Sequence, residues 1–221
     1  MSIRLIIKPD YPTLSHEAAG MIGSDVQTKP DLRIGLPAGR TPAGMYEELV
    51  RMHRESHLSL SRVRTFNLDE YEGLPEDHPG SFHSYMRAQL FDHVNVPPAN
   101  IHFPDSGYDR TIADAGGMDL LILGIGTNGH IAFNEPGSSF ASRTRIVDLA
   151  PETPGPVRRG ITMGIATILD ARKIVLLASG EAKRDVIRRA LHGQVTEALP
   201  ASVLQLHPDV TVILDQAASP E

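Results

Sequence analysis

The sequence Met118-Asp-Leu-Leu-Ile-Leu-Gly-Ile-Gly-Thr-Asn-Gly-His-Ile-Ala-Phe-Asn-Glu-Pro-Gly137 joins an apolar run to a glycine-rich loop. The apolar run, residues 118–123, predicts a buried strand. The loop then presents His130 and Glu135 within six positions. Glycines let the backbone approach a ligand closely, and an imidazole beside a carboxylate can move protons. The stretch therefore predicts a strand that ends in a functional loop.

Strand-like and helix-like segments alternate on both sides of this stretch. The predicted strands are residues 3–7, 32–36, 63–68, 100–103, 118–123, 173–178 and 210–214. The predicted helices are residues 14–26, 42–53, 81–93, 109–115 and 181–191. Such alternation is typical of βαβ units, so the fold class is α/β with an open, mostly parallel sheet flanked by helices. No repeat, low-complexity tract or linker divides the chain, which predicts a single domain over residues 1–221.

Composition excludes several functional classes. A net charge of −6 argues against a nucleic-acid partner, because phosphate backbones need a basic face. The chain has no cysteine, so disulfides and thiolate chemistry are excluded. No apolar stretch is long enough for a membrane span, and the first residues lack the apolar segment of a signal peptide. The expected location is therefore the cytoplasm, with no membrane partner.

Four predicted strands end in residues with notable chemistry. These strand ends are residues 37–41, 69–71, 124–135 and 179–183. Ligands of parallel α/β sheets bind at the carboxyl ends of strands. If the four strands are parallel, the four ends converge on one site.

The turn before residue 42 has the features of an anion site. Thr41 is placed as the helix N-cap, with Pro42 as the first helical residue. The amides of Gly39, Arg40 and Thr41 would then point at a phosphate or carboxylate near the helix N-terminus. A plain, well-capped turn would use the same residues.

Lys183 and Asp69 each have a simpler interpretation beside the functional one. A lysine in the first turn of a helix meets the positive end of the helix dipole, and a bound anion would offset that repulsion. Lys183 could equally be a solvated surface residue. Strand alternation sends Asp69 and Glu70 to opposite sides, so one of them faces the site. Asp69 alone would also suit an Asx turn.

The glycines of the central loop also match a dinucleotide fingerprint, Gly124-x-Gly126-x-x-Gly129. That motif needs a helix directly after its third glycine, and residues 134–137 leave room for about one helical turn. Dinucleotide binding is therefore disfavoured. The ten histidines show no metal-ligand spacing, which disfavours a metal site as well.

Several blocks of the chain together resemble the glucosamine-6-phosphate deaminase family, which is related to 6-phosphogluconolactonase. The blocks are Phe66 to Pro75 with His78-Pro79, Gly124 to Gly137 with Ser142 to Arg145, Gly35 to Pro37 with Gly39 and Thr41-Pro42, the helix start at Lys183, and Pro200 to Pro208. They extend over nearly the whole chain. The resemblance implies a modified Rossmann-like sheet and the conversion of glucosamine 6-phosphate to fructose 6-phosphate and ammonia. It implies no metal or redox cofactor.

The resemblance also assigns roles to residues. Asp69 would be the base that moves a proton between C2 and C1 of the sugar. His130 would assist opening of the pyranose ring, with Glu135 and Asn128 supporting it. The phosphate would bind Gly39, Arg40, Thr41 and Lys183. Asn128 stands where many relatives have aspartate; it would orient the ring without adding charge.

Two segments look shorter than in the family, residues 104–108 and the lid between Arg145 and Thr162. The lid arginine that helps to hold the phosphate is missing, and Arg158 or Arg159 is a candidate replacement. Galactosamine 6-phosphate isomerisation, 6-phosphogluconolactone hydrolysis and a catalytically silent sugar-phosphate sensor remain as alternative functions. The sequence leaves the oligomeric state open, including a homo-oligomer.

Overall fold

The structure is a computed structural model that describes residues 3–150 and 157–220. The strands in these ranges are β1 (Arg4–Lys8), β2 (Arg33–Leu36), β3 (Arg64–Asn67), β4 (Asp69–Tyr71), β5 (Ile101–His102), β6 (Leu120–Gly124), β7 (Arg145–Asp148), β8 (Arg159–Thr162), β9 (Ile174–Ala178) and β10 (Val210–Asp215). The α-helices are α1 (Tyr11–Thr28), α2 (Arg40–Glu55), α3 (Phe82–Gln89), α4 (Tyr108–Asp114), α5 (Ile165–Leu169) and α6 (Arg184–His192). Short 3₁₀ turns cover Phe91–His93, Pro98–Asn100, Glu181–Lys183 and Pro200–Leu206.

Seven strands form one open sheet in the order β1-β10-β9-β6-β2-β3-β5. Every pair of neighbours in this sheet is parallel. The predicted α/β class and the mostly parallel sheet are therefore confirmed. The central strand β6 is apolar on both faces, because helices cover both sides of a parallel sheet.

The two faces of the sheet bury separate apolar clusters. One cluster contains Leu121 and Leu123 of β6 and packs against α6. The other contains Leu120 and Ile122 of the same strand and packs against α1 and α2. Alternate side chains of one strand thus enter opposite cores, which explains why residues 120–123 form a continuous apolar run.

The strand order reverses direction between β2 and β6. After β2 the chain continues to β3 on one side, whereas after β6 it continues to β9 and β10 on the other. A reversal of this kind leaves a crevice outside the carboxyl ends of the two strands. The Gly39 turn follows β2 and the His130 loop follows β6, so both border this crevice.

A second, antiparallel sheet of order β4-β8-β7 was missed by the sequence reasoning. Its strands have only three or four residues, too few to show clear alternation. Asp69 pairs with Thr162 of β8, so the segment expected to be a lid contributes a strand beside the site. Tyr71 and Phe133 pack beneath this sheet together with Leu149.

Several predicted helix ends were wrong. The helix predicted from residue 181 begins at Arg184, with a 3₁₀ turn over Glu181–Lys183, so Lys183 is the N-cap of α6 rather than a residue of its first turn. Helix α1 begins at Tyr11 rather than Leu14, because Asp10 and Thr13 form a reciprocal capping box that the prediction overlooked. Helix α2 begins at Arg40, with Gly39 rather than Thr41 as its N-cap. Helix α3 ends at Gln89, and a separate 3₁₀ turn covers the rest of the predicted helix. Within the two described ranges no helix combines the length and apolar character needed to cross a bilayer.

Candidate active site

All four chemically notable strand ends meet in two adjoining clefts at the β2–β6 crevice. The inner cleft has a volume of about 180 Å³ and is lined by Pro37 to Pro42, Leu68, Asp69, Phe82, Gly124 to Gly126, His130, Ala132 and Phe133. The outer cleft has a volume of about 1060 Å³ and is lined by Tyr11, Arg40, Thr41, Ile125 to Asn128, His130, Ala150, Ser179, Ala182 and Lys183. Arg40, Thr41 and His130 line both clefts, so the two form one continuous site. The predicted convergence is correct.

The Gly39 turn offers unsatisfied amide groups at the start of α2. Gly39 has a φ of 123°, which strongly favours glycine, and no side chain caps the helix. In the described part of the chain the amides of Gly39, Arg40 and Thr41 donate to no protein acceptor. Thr41 is therefore a residue of the first helical turn rather than its cap. A turn with free amides at a helix N-terminus can bind an anion.

Two cations border the same turn without an acidic partner. The Lys183 ammonium is half-buried and donates to the Ile125 carbonyl oxygen at 2.6 Å. Among the described residues neither Lys183 nor Arg40 forms an ion pair. Burial lowers the pKa of Lys183, and the nearby Arg40 charge lowers it further. Two like charges held together with free amides indicate a site for a bound anion.

Asp69 is a buried carboxyl group at the edge of the inner cleft. Burial, with a smaller effect from the charge of Glu70, raises the pKa of Asp69 to about 8. In the described part of the chain its carboxylate accepts no hydrogen bond, so the Asx-turn interpretation is wrong. A carboxyl group whose pKa lies near the working pH suits general acid–base chemistry.

Glu70, the next residue, faces the opposite side and holds the start of α3. Its carboxylate accepts hydrogen bonds from the amides of Tyr71, Phe82 and His83 at 2.7–2.9 Å and from His83 Nδ1 at 2.7 Å. Burial works to raise the pKa of Glu70, but these hydrogen bonds outweigh it and the pKa is lowered. The sequence reasoning did not predict this role.

His130 packs over glycine in the central loop. A Cβ atom on Gly126 would lie 2.4 Å from the imidazole, so only glycine lets the ring take this position. Burial lowers the pKa of His130, with Glu135 and Lys183 acting in opposite directions. The ring is therefore neutral at neutral pH. Its Nδ1 lies 3.3 Å from Glu135 Oε1 but is not aligned for a hydrogen bond.

Asn128 supports Glu135 rather than the imidazole. Its Nδ2 donates to Glu135 Oε2 at 2.7 Å, and its Oδ1 accepts from the His130 backbone amide at 3.1 Å. The expectation that Asn128 orients the ring is therefore corrected. An amide can bridge a backbone donor and a carboxylate, because it has both an acceptor and a donor.

The two candidate replacements for the lid arginine lie outside the two clefts. Arg159 pairs with Glu72 at 3.0 Å, and Arg158 donates to the Ala150 carbonyl oxygen at 3.4 Å. Neither lines the clefts, whereas Arg40 lines both. Residues 151–156 of the expected lid lie outside the described residues.

The alternatives of a dinucleotide or metal site find no support in the geometry. No helix follows Gly129 in the loop, as the fingerprint requires. The described residues include no group of three metal-ligating side chains. A separate cavity of about 740 Å³ lies beside β5 and the short segment before α4, and none of the four strand ends lines it.

Comparison with known proteins places this chain in a family. Residues 12–213 match the family described as glucosamine-6-phosphate isomerases/6-phosphogluconolactonase. The chain belongs to this family. A glucosamine-6-phosphate deaminase of Rhodopirellula baltica is 47% identical, with 98% of this chain and 95% of the relative covered. One of Halothermothrix orenii is 44% identical, with 98% and 99% covered.

Solved structures of the family share the fold. A monomeric glucosamine-6-phosphate deaminase superposes with a TM-score of 0.93 at 38% identity, with 98% of each chain covered. The 6-phosphogluconolactonase of Trypanosoma cruzi has a TM-score of 0.83 at 24% identity, with 98% of this chain and 96% of that chain covered. That second likeness shows the fold alone, and the lactonases are distant relatives.

The chain is also compact for this family. Its alignment with the Rhodopirellula protein extends over 238 residues, whereas the chain has 221. The relative therefore has internal residues that this chain lacks.

Proposed function

We propose that the chain is a glucosamine-6-phosphate deaminase, which isomerises and deaminates glucosamine 6-phosphate to fructose 6-phosphate and ammonia. One observation carries this proposal: a buried carboxyl group with a raised pKa, Asp69, shares a cleft with a neutral imidazole and an anion turn. These are the three functions that an isomerase of a phosphorylated sugar needs. Family membership and the names of relatives at 42–47% identity support the same activity.

The anion turn would bind the sugar phosphate. The free amides of Gly39, Arg40 and Thr41 supply hydrogen bonds, and the side chains of Arg40 and Lys183 supply charge. A phosphate at this position holds the rest of the sugar in the inner cleft. Fixing a distant group in this way orients the reacting carbons beside Asp69. The translational and rotational entropy is then lost on binding rather than in the chemical step, which lowers the barrier.

Neutral His130 would open the pyranose ring. It accepts the proton of the anomeric hydroxyl while the bond between C1 and the ring oxygen breaks, and the imidazolium then gives that proton to the ring oxygen, which becomes the C5 hydroxyl group. Glu135 stabilises the imidazolium that forms, since its carboxylate lies 3.3 Å from Nδ1. Asn128 holds that carboxylate in position through its 2.7 Å hydrogen bond.

Asp69 would transfer the proton of the isomerisation. As a carboxylate it removes the proton from C2 and returns it to C1, while a second proton passes from the amino nitrogen to O1, which converts the open-chain amino aldehyde to an imine at C2. Water then hydrolyses the imine to the ketone and ammonia. The amino group of the bound substrate is cationic in part, and a nearby positive charge favours the ionised form of Asp69.

The test is to incubate the protein with glucosamine 6-phosphate and to measure ammonia and fructose 6-phosphate in parallel. Stoichiometric formation of both products is expected. Saturable binding of the sugar phosphate without product would contradict the proposal and leave a catalytically silent sensor. Turnover of 6-phosphogluconolactone in place of the amino sugar would contradict it as well.

A further inference from the structure

Tyrosine hydroxyl groups contact the backbone carbonyl oxygens of the turn that borders the two clefts. We propose that Tyr85 is a positioning residue for the phosphate: its hydroxyl group holds the Gly39 carbonyl and thereby directs the Arg40 amide toward the bound anion. This inference rests on the proposed sugar-phosphate site. It adds a residue that lines neither cleft.

Three of the five tyrosines contact carbonyl groups of this turn. Tyr46 donates to the Pro37 carbonyl oxygen at 2.6 Å, and Tyr85 donates to that of Gly39 at 2.5 Å. The Tyr11 hydroxyl lies 3.1 Å from the carbonyl oxygens of both Arg40 and Thr41. Hydrogen bonds to several peptide groups of one turn constrain it more closely than apolar packing does, because they fix direction as well as distance.

Peptide geometry links the Gly39 carbonyl to the Arg40 amide. In a trans peptide these two groups belong to one rigid plane and point in opposite directions. The described residues contain no cis peptide bond. A hydroxyl group that holds the carbonyl on one side therefore fixes the amide on the other. Gly39 needs such a restraint, since glycine has the most conformational freedom of any residue and here adopts a φ of 123°.

Helix α3 connects this restraint to the strand that carries the base. Tyr85 lies in the first turn of α3, and the Glu70 carboxylate binds the amides of Phe82 and His83 at the start of that helix. Ser81 accepts a hydrogen bond from the next amide, that of Ser84. The start of α3 is thus fixed to the residue next to Asp69. The path Asp69–Glu70–α3–Tyr85–Gly39 sets the spacing between the proton-transfer group and the phosphate turn.

The Tyr85 hydroxyl remains a donor throughout the neutral pH range. Burial raises the pKa of Tyr85 to about 12, so the group stays protonated. A carbonyl oxygen accepts only, which makes the direction of this bond unambiguous. The restraint on the turn is therefore independent of pH over the range in which Asp69 titrates.

The test compares Tyr85→Phe with Ser84→Ala. The first change removes the hydroxyl group and leaves the ring, so the packing of α3 is retained. The control removes a hydroxyl group from the adjacent residue, where Ser84 Oγ donates to the Glu76 carbonyl oxygen at 3.0 Å, away from the turn. Both variants lose one hydrogen bond from α3 to a backbone carbonyl. They differ in whether that carbonyl belongs to the phosphate turn.

Binding of inorganic phosphate is measured by calorimetry, together with KM and kcat for glucosamine 6-phosphate. Loss of one hydrogen bond predicts that Tyr85→Phe weakens phosphate binding and raises KM by roughly three- to tenfold, with kcat changed less than KM. Ser84→Ala should leave both constants close to those of the unmodified protein. In the unmodified protein the Arg40 amide signal in NMR spectra should shift on addition of phosphate.

The outcomes separate this inference from the proposed function. Tyr85→Phe with unchanged phosphate affinity, or an Arg40 amide signal that does not respond to phosphate, would overturn the positioning role alone. An equal loss of affinity in both variants would overturn it too, because the effect would then belong to the helix rather than to the turn. An unmodified protein that neither binds phosphate nor turns over the amino sugar would overturn the proposed function itself.

Discussion

The two sides of β4 place adjacent carboxyl groups in opposite environments. Asp69 faces the inner cleft, receives no hydrogen bond in the described part of the chain, and has a pKa raised to about 8. Glu70 faces α3, accepts four hydrogen bonds, and has a lowered pKa despite its burial. Both side chains are buried. Hydrogen-bond donors, rather than burial, therefore decide which carboxyl group is a fixed structural anion and which can exchange a proton.

The largest expected effect comes from removing the exchangeable group. Asp69→Asn should lower kcat by on the order of 10²- to 10⁴-fold, the usual contribution of a general base. The affinity for glucosamine 6-phosphate should be nearly unchanged, since the phosphate turn is intact. Steady-state kinetics and calorimetry measure the two effects. If the variant keeps most of its activity, the proton-transfer role is wrong.

The same substitution should stabilise the folded chain. The folded-state pKa of Asp69 is about 8, above its ordinary value of 3.8. Below about pH 4 both states are protonated, whereas between pH 4 and 8 only the unfolded state ionises, so folded stability falls as pH rises. Asp69→Asn removes this loss, which is on the order of 4 kcal/mol at pH 7. The difference in Tm between variant and parent should grow from pH 4 to 8. A constant difference would contradict the raised pKa.

Glu70→Gln tests the other side of the strand. The glutamine side chain keeps the shape of glutamate, but its NH₂ group would face backbone N–H groups that now donate to the carboxylate. This mismatch should cost about 2 kcal/mol of stability. Because the Glu70 charge raises the pKa of Asp69, and Asp69 must be ionised to act as the base, removal of the charge should also move the acidic, rising limb of kcat/KM below pH 8. Thermal unfolding and a pH–rate profile check both effects. Movement of the limb to higher pH would contradict the assigned coupling.

How much of this arrangement the sequence could predict depends on how far apart the interacting residues lie along the chain. The parallel sheet followed from the alternation of strands and helices along the chain. The convergence of Asp69, His130 and Lys183 followed from their places at the ends of strands, on the condition that those strands are parallel. The partners of Glu70 and Tyr85 were not predicted, because they are 12 to 46 residues away and carry no periodic signal. Asn128 was assigned to the imidazole because the sequence places it two residues from His130, whereas its side chain reaches Glu135.

Asn128→Asp is expected to have the smallest effect. The substitution removes the 2.7 Å hydrogen bond from Asn128 to Glu135 and places a second carboxylate beside that of Glu135. The two carboxylates must then share a proton or repel each other. Added negative charge raises the pKa of His130, so activity should fall on the acid side of the pH profile, within about tenfold. Asn128→Ala is the control that removes the hydrogen bond without adding charge. If Asn128→Asp alone lowered activity by more than a hundredfold, the effect would be larger than expected. Activity would then depend on a neutral amide beside Glu135.

Direct titration of the two carboxyl groups tests the contrast at β4 most closely. Carbon-13 NMR of the side-chain carboxyl carbons, with Asp69→Asn used to assign the Asp69 signal, follows both groups between pH 3 and 10. The Asp69 carboxyl should titrate near pH 8 in the free protein, and that of Glu70 should titrate below its ordinary value of 4.5. A midpoint for Asp69 near 4, or equal midpoints for the two groups, would contradict the account.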